Sequence, residues 1–161
     1  MTLASVALAR MRTGERRALT AGERAMAAAM FAARLPLDGI AILQAPPLPF
    51  QAMVPLGKTV VFSLWRAARD FTQADRGEQG WLIHELAHCW QARQGIVLPV
   101  AKLRALGSRA YRYDLAPGKP FGAYNIEQQA EIVRHLFLAR VGAPECGAPP
   151  LMHLEEAWAP A

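Results

Sequence analysis

At 161 residues, with 53% apolar and 19% charged side chains, the chain has the size and composition of one globular domain, not of a disordered segment. No apolar run reaches the roughly 18 residues of a membrane span, and two cysteines, Cys89 and Cys146, build no disulfide framework. The net charge of +5 comes mainly from scattered arginines without interleaved aromatics, so a solvated basic surface or a face for acidic partners is expected, and a nucleic-acid partner is not.

The opening stretch, MTLASVALARMRTGERR, carries a short apolar patch with no basic segment ahead of it. No Sec signal is read there, and the expected location is the cytoplasm, or export by a route that needs no such peptide. In LTAGERAMAAAMFAARLP, Thr20 and Glu23 have capping-box spacing, which predicts a helix running to Leu35 and stopped by Pro36. GIAILQ (Gly39 to Gln44) is a short apolar run closed by Pro46 and Pro47 and reads as a strand. KTVVFSLW (Lys58 to Trp65), β-branched and aromatic, reads as a second.

A polar loop from Arg66 to Gly80 is expected next. From Trp81, the residues Leu82, Ile83, Leu86, Ala87 and Trp90 recur at helical spacing, and Gly95 stands where a helix ends. A short helix from Val100 to Leu106, ended by Gly107, precedes an irregular, tyrosine-rich segment from Ser108 to Tyr124. Asn125 as N-cap and Gln128 three residues on start a strong helix that runs to Gly142. The proline-rich remainder, 143–161, is expected to hold one helical turn around Met152 to Trp158. The whole is read as a single α+β domain over 1–161, with its core at about 15–142 and two functional helices packed on a short sheet of a few strands.

Two of the four histidines lie in WLIHELAHCWQ, residues Trp81 to Gln91. His84 and His88 are one helical turn apart on one face and can aim both imidazoles at one ion. Glu85 lies about 100° further round the helix, beside such an ion without binding it, where it can take a proton from water. Cys89 points to another side and is read as a small buried apolar group.

Hydrolytic zinc sites use three protein ligands and keep one position open. The extended motif with glycine and histidine further along the same helix is excluded, because positions 91 and 94 are Gln91 and Gln94. Downstream candidates are Glu127, Glu131, His135 and His153. Glu127, Glu131 and His135 form a polar stripe at i, i+4 and i+8, which in most helices is a solvated face. The preferred assignment makes Glu127 the third ligand and Glu131 the carboxylate that holds a ligand histidine's outer N–H. His135 stays open as a third ligand or a transition-state donor.

HELAH followed by NIEQQAE resembles the glutamate zincins, the thermolysin-like clan whose third ligand sits on a later helix in a Glu-x-x-x-Asp pattern. Here Glu131 stands where aspartate is usual. The chain more closely resembles small metallopeptidases of the Rhs- or Vgr-related group, found near bacterial type VI secretion genes. The likeness is carried by Leu19 to Phe31, His84 to Gln91 and Tyr111 to Val133, and spans most of 15–140. HEMTHVWQ is the commoner form of the motif there, and Leu86, Ala87 and Cys89 depart from it at positions that are not ligands.

The resemblance implies a compact zincin-like domain that hydrolyses peptide bonds. One Zn2+ per chain would be held by His84, His88 and Glu127, with Glu85 as general base. The donor for the oxyanion is sought among Tyr124, Tyr113, Tyr111 and His135. A peptide or protein substrate is expected along an exposed strand edge, that of Lys58 to Trp65, and a secretion-system protein is a candidate partner. The rivals are a non-catalytic zinc-binding adaptor of a secretion or phage-related assembly, a protease that clips a DNA-bound repressor, and a metal-free structural domain. No helix-turn-helix supports the second.

Overall fold

The computed structural model describes residues 7–107 and 109–159. The start of the segment read for a Sec signal, residues 1–6, lies outside the described residues, as do Ser108 and the last two residues of the tail. The architecture is α+β. A four-stranded sheet is built from β1 (Arg16–Ala18), β2 (Ala41–Gln44), β3 (Ala52–Met53) and β4 (Thr59–Phe62), in the order β1-β2-β4-β3. β2 and β4 are parallel, and both outer pairings are antiparallel. The helices are α1 (Ala21–Phe31), α2 (Arg76–Arg93), α3 (Leu98–Arg104), α4 (Ile126–Arg140) and α5 (Leu151–Trp158). No described helix is long and apolar enough to cross a membrane.

The helix starts follow their caps. Thr20 and Glu23 close a reciprocal capping box on α1, and Asn125 and Gln128 close one on α4. α2 begins five residues before the expected start at Trp81, because Asp75 accepts from the Glu78 amide and caps a turn that Gly77 and Gly80 disguise as loop. Gly80 is there for contact: a Cβ would lie 3.2 Å from both Arg134 Cγ and Leu138 Cδ2. Its missing side chain lets α2 and α4 approach closely, and that pairing sets the separation of the side chains the two helices turn toward each other.

Three expectations are corrected. The strand expected over Lys58 to Trp65 ends at Phe62, where Leu64 (φ 51°) and Trp65 (φ 55°) turn the chain through the left-handed region. It is not a sheet edge either. β2 flanks it on one side and β3 on the other, so the open edges belong to β1 and β3. The short helix starts at Leu98 instead of Val100, with Pro99 in its first turn, where a missing N–H does no harm.

The third correction concerns the tail. The packed body does not stop at residue 142. α5 makes two turns, Leu154 and Trp158 are buried, and the Trp158 indole meets Phe31, Trp90 and Phe121 edge-on at centroid distances of 5.9, 5.1 and 5.3 Å. Its Nε1 donates to the Met30 carbonyl at 3.1 Å, and Arg34 stacks on its outer face. Trp158→Ala would leave a cavity and an unpaired carbonyl, and is expected to destabilise the domain by about 3–5 kcal/mol. Chemical denaturation checks this; a loss within experimental error would return α5 to the status of an appendage.

Candidate metal centre

α2 supplies His84, Glu85 and His88 from a stretch that is buried on nearly every side, and α4 supplies Glu127 and Glu131 from its first two turns. His84 and His88 are each 1% exposed, Glu85 2% and Glu127 4%. Such polar groups are costly to bury unless something satisfies them.

The outer nitrogens are satisfied by protein. His84 Nδ1 lies 2.8 Å from Glu131 Oε1, and Glu131 is itself gripped by Arg134 through Nε and Nη2, each at 3.0 Å. Burial alone would raise the Glu131 pKa, but the hydrogen bonds from His84 and Arg134 outweigh it and hold the carboxyl at about 2. An ionised carboxylate only accepts, so Nδ1 carries the proton of His84. His88 Nδ1 lies 2.7 Å from Gln91 Oε1. The Gln91 amide is oriented by its donations to the Ile126 carbonyl (2.8 Å) and to Gln129 Oε1 (3.0 Å), so His88 also carries its proton on Nδ1.

Both Nε2 atoms turn to the same side, toward Glu127. His84 Nε2 is 3.2 Å and His88 Nε2 3.3 Å from Glu127 Oε2. With the protons on Nδ1, these three atoms would be acceptors facing one another, which a cation, or a proton shared between His84 Nε2 and Glu127, would bridge. For a tetrahedral ion with bonds of about 2.0–2.1 Å, neighbouring ligand atoms stand about 3.4 Å apart, close to both His–Glu127 separations. Among the described residues these three form a cluster able to hold a metal ion. His88 Nε2 and Glu85 Oε2 are buried without a hydrogen-bond partner there. The residues present fit a divalent cation.

Electrostatics agree. Glu85, Glu127 and Glu131 are three buried carboxylates opposed by Arg134 and by Lys102 of α3, whose Nζ is 3.5 Å from Glu127 Oε1. Burial would lower the His84 pKa, yet its hydrogen bonds to Glu127 and Glu131 prevail and push it up to about 9. With no other cation at the centre, a proton on His84 would balance the carboxylates.

The remaining candidates are distributed as follows. Tyr124 is not brought to the cluster: its hydroxyl donates to the Asp114 carbonyl (3.1 Å) and accepts from the Ala116 amide (3.2 Å), which ties down the loop before α4. His135 stands outside it too, with Nδ1 2.6 Å from the Tyr113 hydroxyl and Nε2 3.6 Å from Glu131 Oε2. It is therefore not grouped as a third ligand. His153 is on α5, at a separate surface depression with Glu156. Tyr111 is the tyrosine at the centre. Its ring stacks over that of His84 at 6.1 Å, and burial, then the charges of Glu127, Glu85 and Glu131, push its hydroxyl up to about 12.

Sequence reasoning missed Gln91 and Lys102. Gln91 had a visible signal, three residues after His88 on the same face, but was read only as the absence of a further ligand. Lys102 had none, because it arrives from a separate short helix.

No family model matches the chain. In sequence it is 34% identical over 134 residues to the type VI secretion system spike protein VgrG2b of Pseudomonas aeruginosa, an alignment that takes in 77% of this chain but only 13% of the spike protein. In structure it superposes on the effector domain of Pseudomonas aeruginosa VgrG2b with a TM-score of 0.68 and 28% identity, over 89% of this chain and 82% of that domain. Over most of its length the chain is thus similar in sequence to a type VI secretion spike protein, and in fold to the effector domain of that protein.

Proposed function

We propose that the chain is a zinc-dependent metallopeptidase. The observation that carries this reading is the meeting of His84 Nε2, His88 Nε2 and Glu127 Oε2 beside a Glu85 whose Oε2 is buried without a hydrogen-bond partner among the described residues. Two imidazoles and one carboxylate form a donor set suited to Zn2+, and three protein ligands leave a position for chemistry. When bound, the ion supplies Lewis acidity, polarising a carbonyl and making a water acidic near neutral pH.

The chain's own groups would do the rest. Glu85 Oε2 takes the proton of the attacking water and returns it to the departing amine nitrogen. Tyr111, half exposed over His84 with no hydrogen-bond partner among the described residues, donates its hydroxyl to the oxyanion as it forms. Glu131 and Gln91 keep His84 and His88 in the tautomer and orientation that leave Nε2 free. The open edge of β3, where Ala52 and Met53 pair only with β4, suits an extended substrate by strand addition. Similarity to the effector domain of a spike protein supports a further part of the reading, that the domain is delivered by secretion machinery with a protein of that machinery as its partner.

Purified wild-type protein is expected to carry close to one equivalent of zinc by elemental analysis, and a chelator to abolish hydrolysis of an unstructured protein such as casein. Protein that folds and keeps its melting temperature with no metal would sink the proposal. Tyr111→Phe is expected to keep the zinc and lower kcat by about 10²–10³-fold, the usual effect of losing one oxyanion donor. An unchanged kcat would remove Tyr111 from the mechanism.

A further inference from the structure

Beside the centre, the segment from Arg109 to Lys119 and the turn after α4 enclose an open cleft of about 800 Å3. It reaches the centre twice: through Tyr111, whose ring covers His84, and through His135, which adjoins Glu131 and Tyr113. Its charge is lopsided. Arg109, Arg112 and Lys119 line it, all exposed, and among the described residues none is in an ion pair with an acidic side chain. Of the two acids on its wall, Glu145 is occupied by Arg134 at 2.6 Å, which leaves Asp114 alone against three cations.

Two of the three are anchored. The Arg112 carbonyl accepts from Gln128 Nε2 at 2.6 Å, which pins its backbone to α4, and the Lys119 ammonium sits 4.1 Å over the Tyr124 ring. From 97 to 112 the sequence has four basic residues and no acidic one. A cleft with one sign of charge on walls of tyrosine concentrates ligands of the other sign, and guanidinium forks fit carboxylates.

We propose that this cleft is a second part of the substrate groove, taking the stretch of chain that lies beyond the β3 edge, and that it selects polypeptides with carboxylate side chains flanking the scissile bond. Arg109 and Arg112 are its specificity-determining residues. This rests on the metallopeptidase reading, and it is tested by binding so that the two can fail separately.

The experiment uses the full chain with Glu85→Gln, so that peptide is held and not cut, and three fluorescein-labelled peptides in which Ala alternates with Asp, Gln or Lys. Fluorescence anisotropy should show the Asp peptide binding at least about tenfold more tightly than the Gln peptide at low ionic strength, with the gap shrinking as salt rises. Adding Arg109→Glu and Arg112→Glu should erase that preference and turn it toward the Lys peptide. Adding Arg16→Glu, the same change of charge as either single reversal but on β1 away from the cleft, should leave it alone. Circular dichroism and zinc content confirm that each variant is folded.

Equal binding of the three peptides, or an Asp preference that survives the double reversal or falls as much with Arg16→Glu, overturns the proposal. So does binding to phosphatidylglycerol vesicles that needs the same two arginines and is not displaced by the Asp peptide, which would make the face a lipid-docking surface. Cleavage by the wild type without acidic preference removes the groove assignment alone. Acidic preference without cleavage removes the peptidase reading and leaves an acidic-peptide site.

Discussion

Glu85→Gln is expected to lower peptide hydrolysis by about 10²–10⁴-fold, the range over which a positioned acid–base group acts, while zinc content and melting temperature stay near wild type. The substitution is nearly isosteric. Glu85 is 2% exposed, its Oε2 has no hydrogen-bond partner among the described residues, and the cluster able to hold a metal is made of His84, His88 and Glu127 without it. An amide keeps the shape and removes both the base and one of three neighbouring buried negative charges, so no loss of folding stability is expected. The comparison of rate with metal content separates three readings. Activity lost with zinc kept identifies the base. Zinc lost with activity makes Glu85 a ligand. Zinc kept in both proteins with no hydrolysis by either favours a zinc-binding adaptor that never turns over.

The same helix shows how far the sequence could be read. The side-by-side placement of His84 and His88 follows from helical geometry alone, and the Asn125 cap fixes where Glu127 and Glu131 fall in the first two turns of α4. What brings the two helices into register is less visible. It includes an absent side chain, Gly80 against Arg134 and Leu138, and glycine in a polar stretch looks like a loop signal until its neighbour is known. β1 and β3 are three and two residues long, too short for any alternation to register.

α5 was obscured in a different way. Pro144, Pro149 and Pro150 suggest an irregular tail, yet Pro150 is the residue just ahead of the helix, and two turns later Trp158 completes the aromatic cluster with Phe31, Trp90 and Phe121. The tyrosines were undecidable from sequence because Tyr111, Tyr113 and Tyr124 share one irregular segment. Only the path of that segment puts Tyr111 on His84 and ties the Tyr124 hydroxyl to its own loop.

A graded series of substitutions at the centre is expected to rank by distance from the shared point. His84→Ala and Glu127→Ala each remove one of three converging atoms and should abolish stoichiometric zinc, since two remaining ligands make a weak site. Their effects on folding without metal should differ in size. Glu127→Ala takes away one of three crowded carboxylates but leaves the Lys102 ammonium without its partner, so the metal-free fold changes little. His84→Ala removes the group that stands between Glu127 and Glu131 and leaves both carboxylates buried with less compensation, a loss of about 3–5 kcal/mol. Gln91→Ala touches no ligand atom. It frees the His88 ring from its Nδ1 partner among the described residues and breaks the link to the Ile126 carbonyl and Gln129, which should weaken zinc binding by about 10–100-fold without abolishing it. Titration with a competing chelator reads all three. Zinc retained at full affinity in Glu127→Ala would move the third ligand elsewhere, and Gln91→Ala as damaging as His84→Ala would mean that the amide itself reaches the ion.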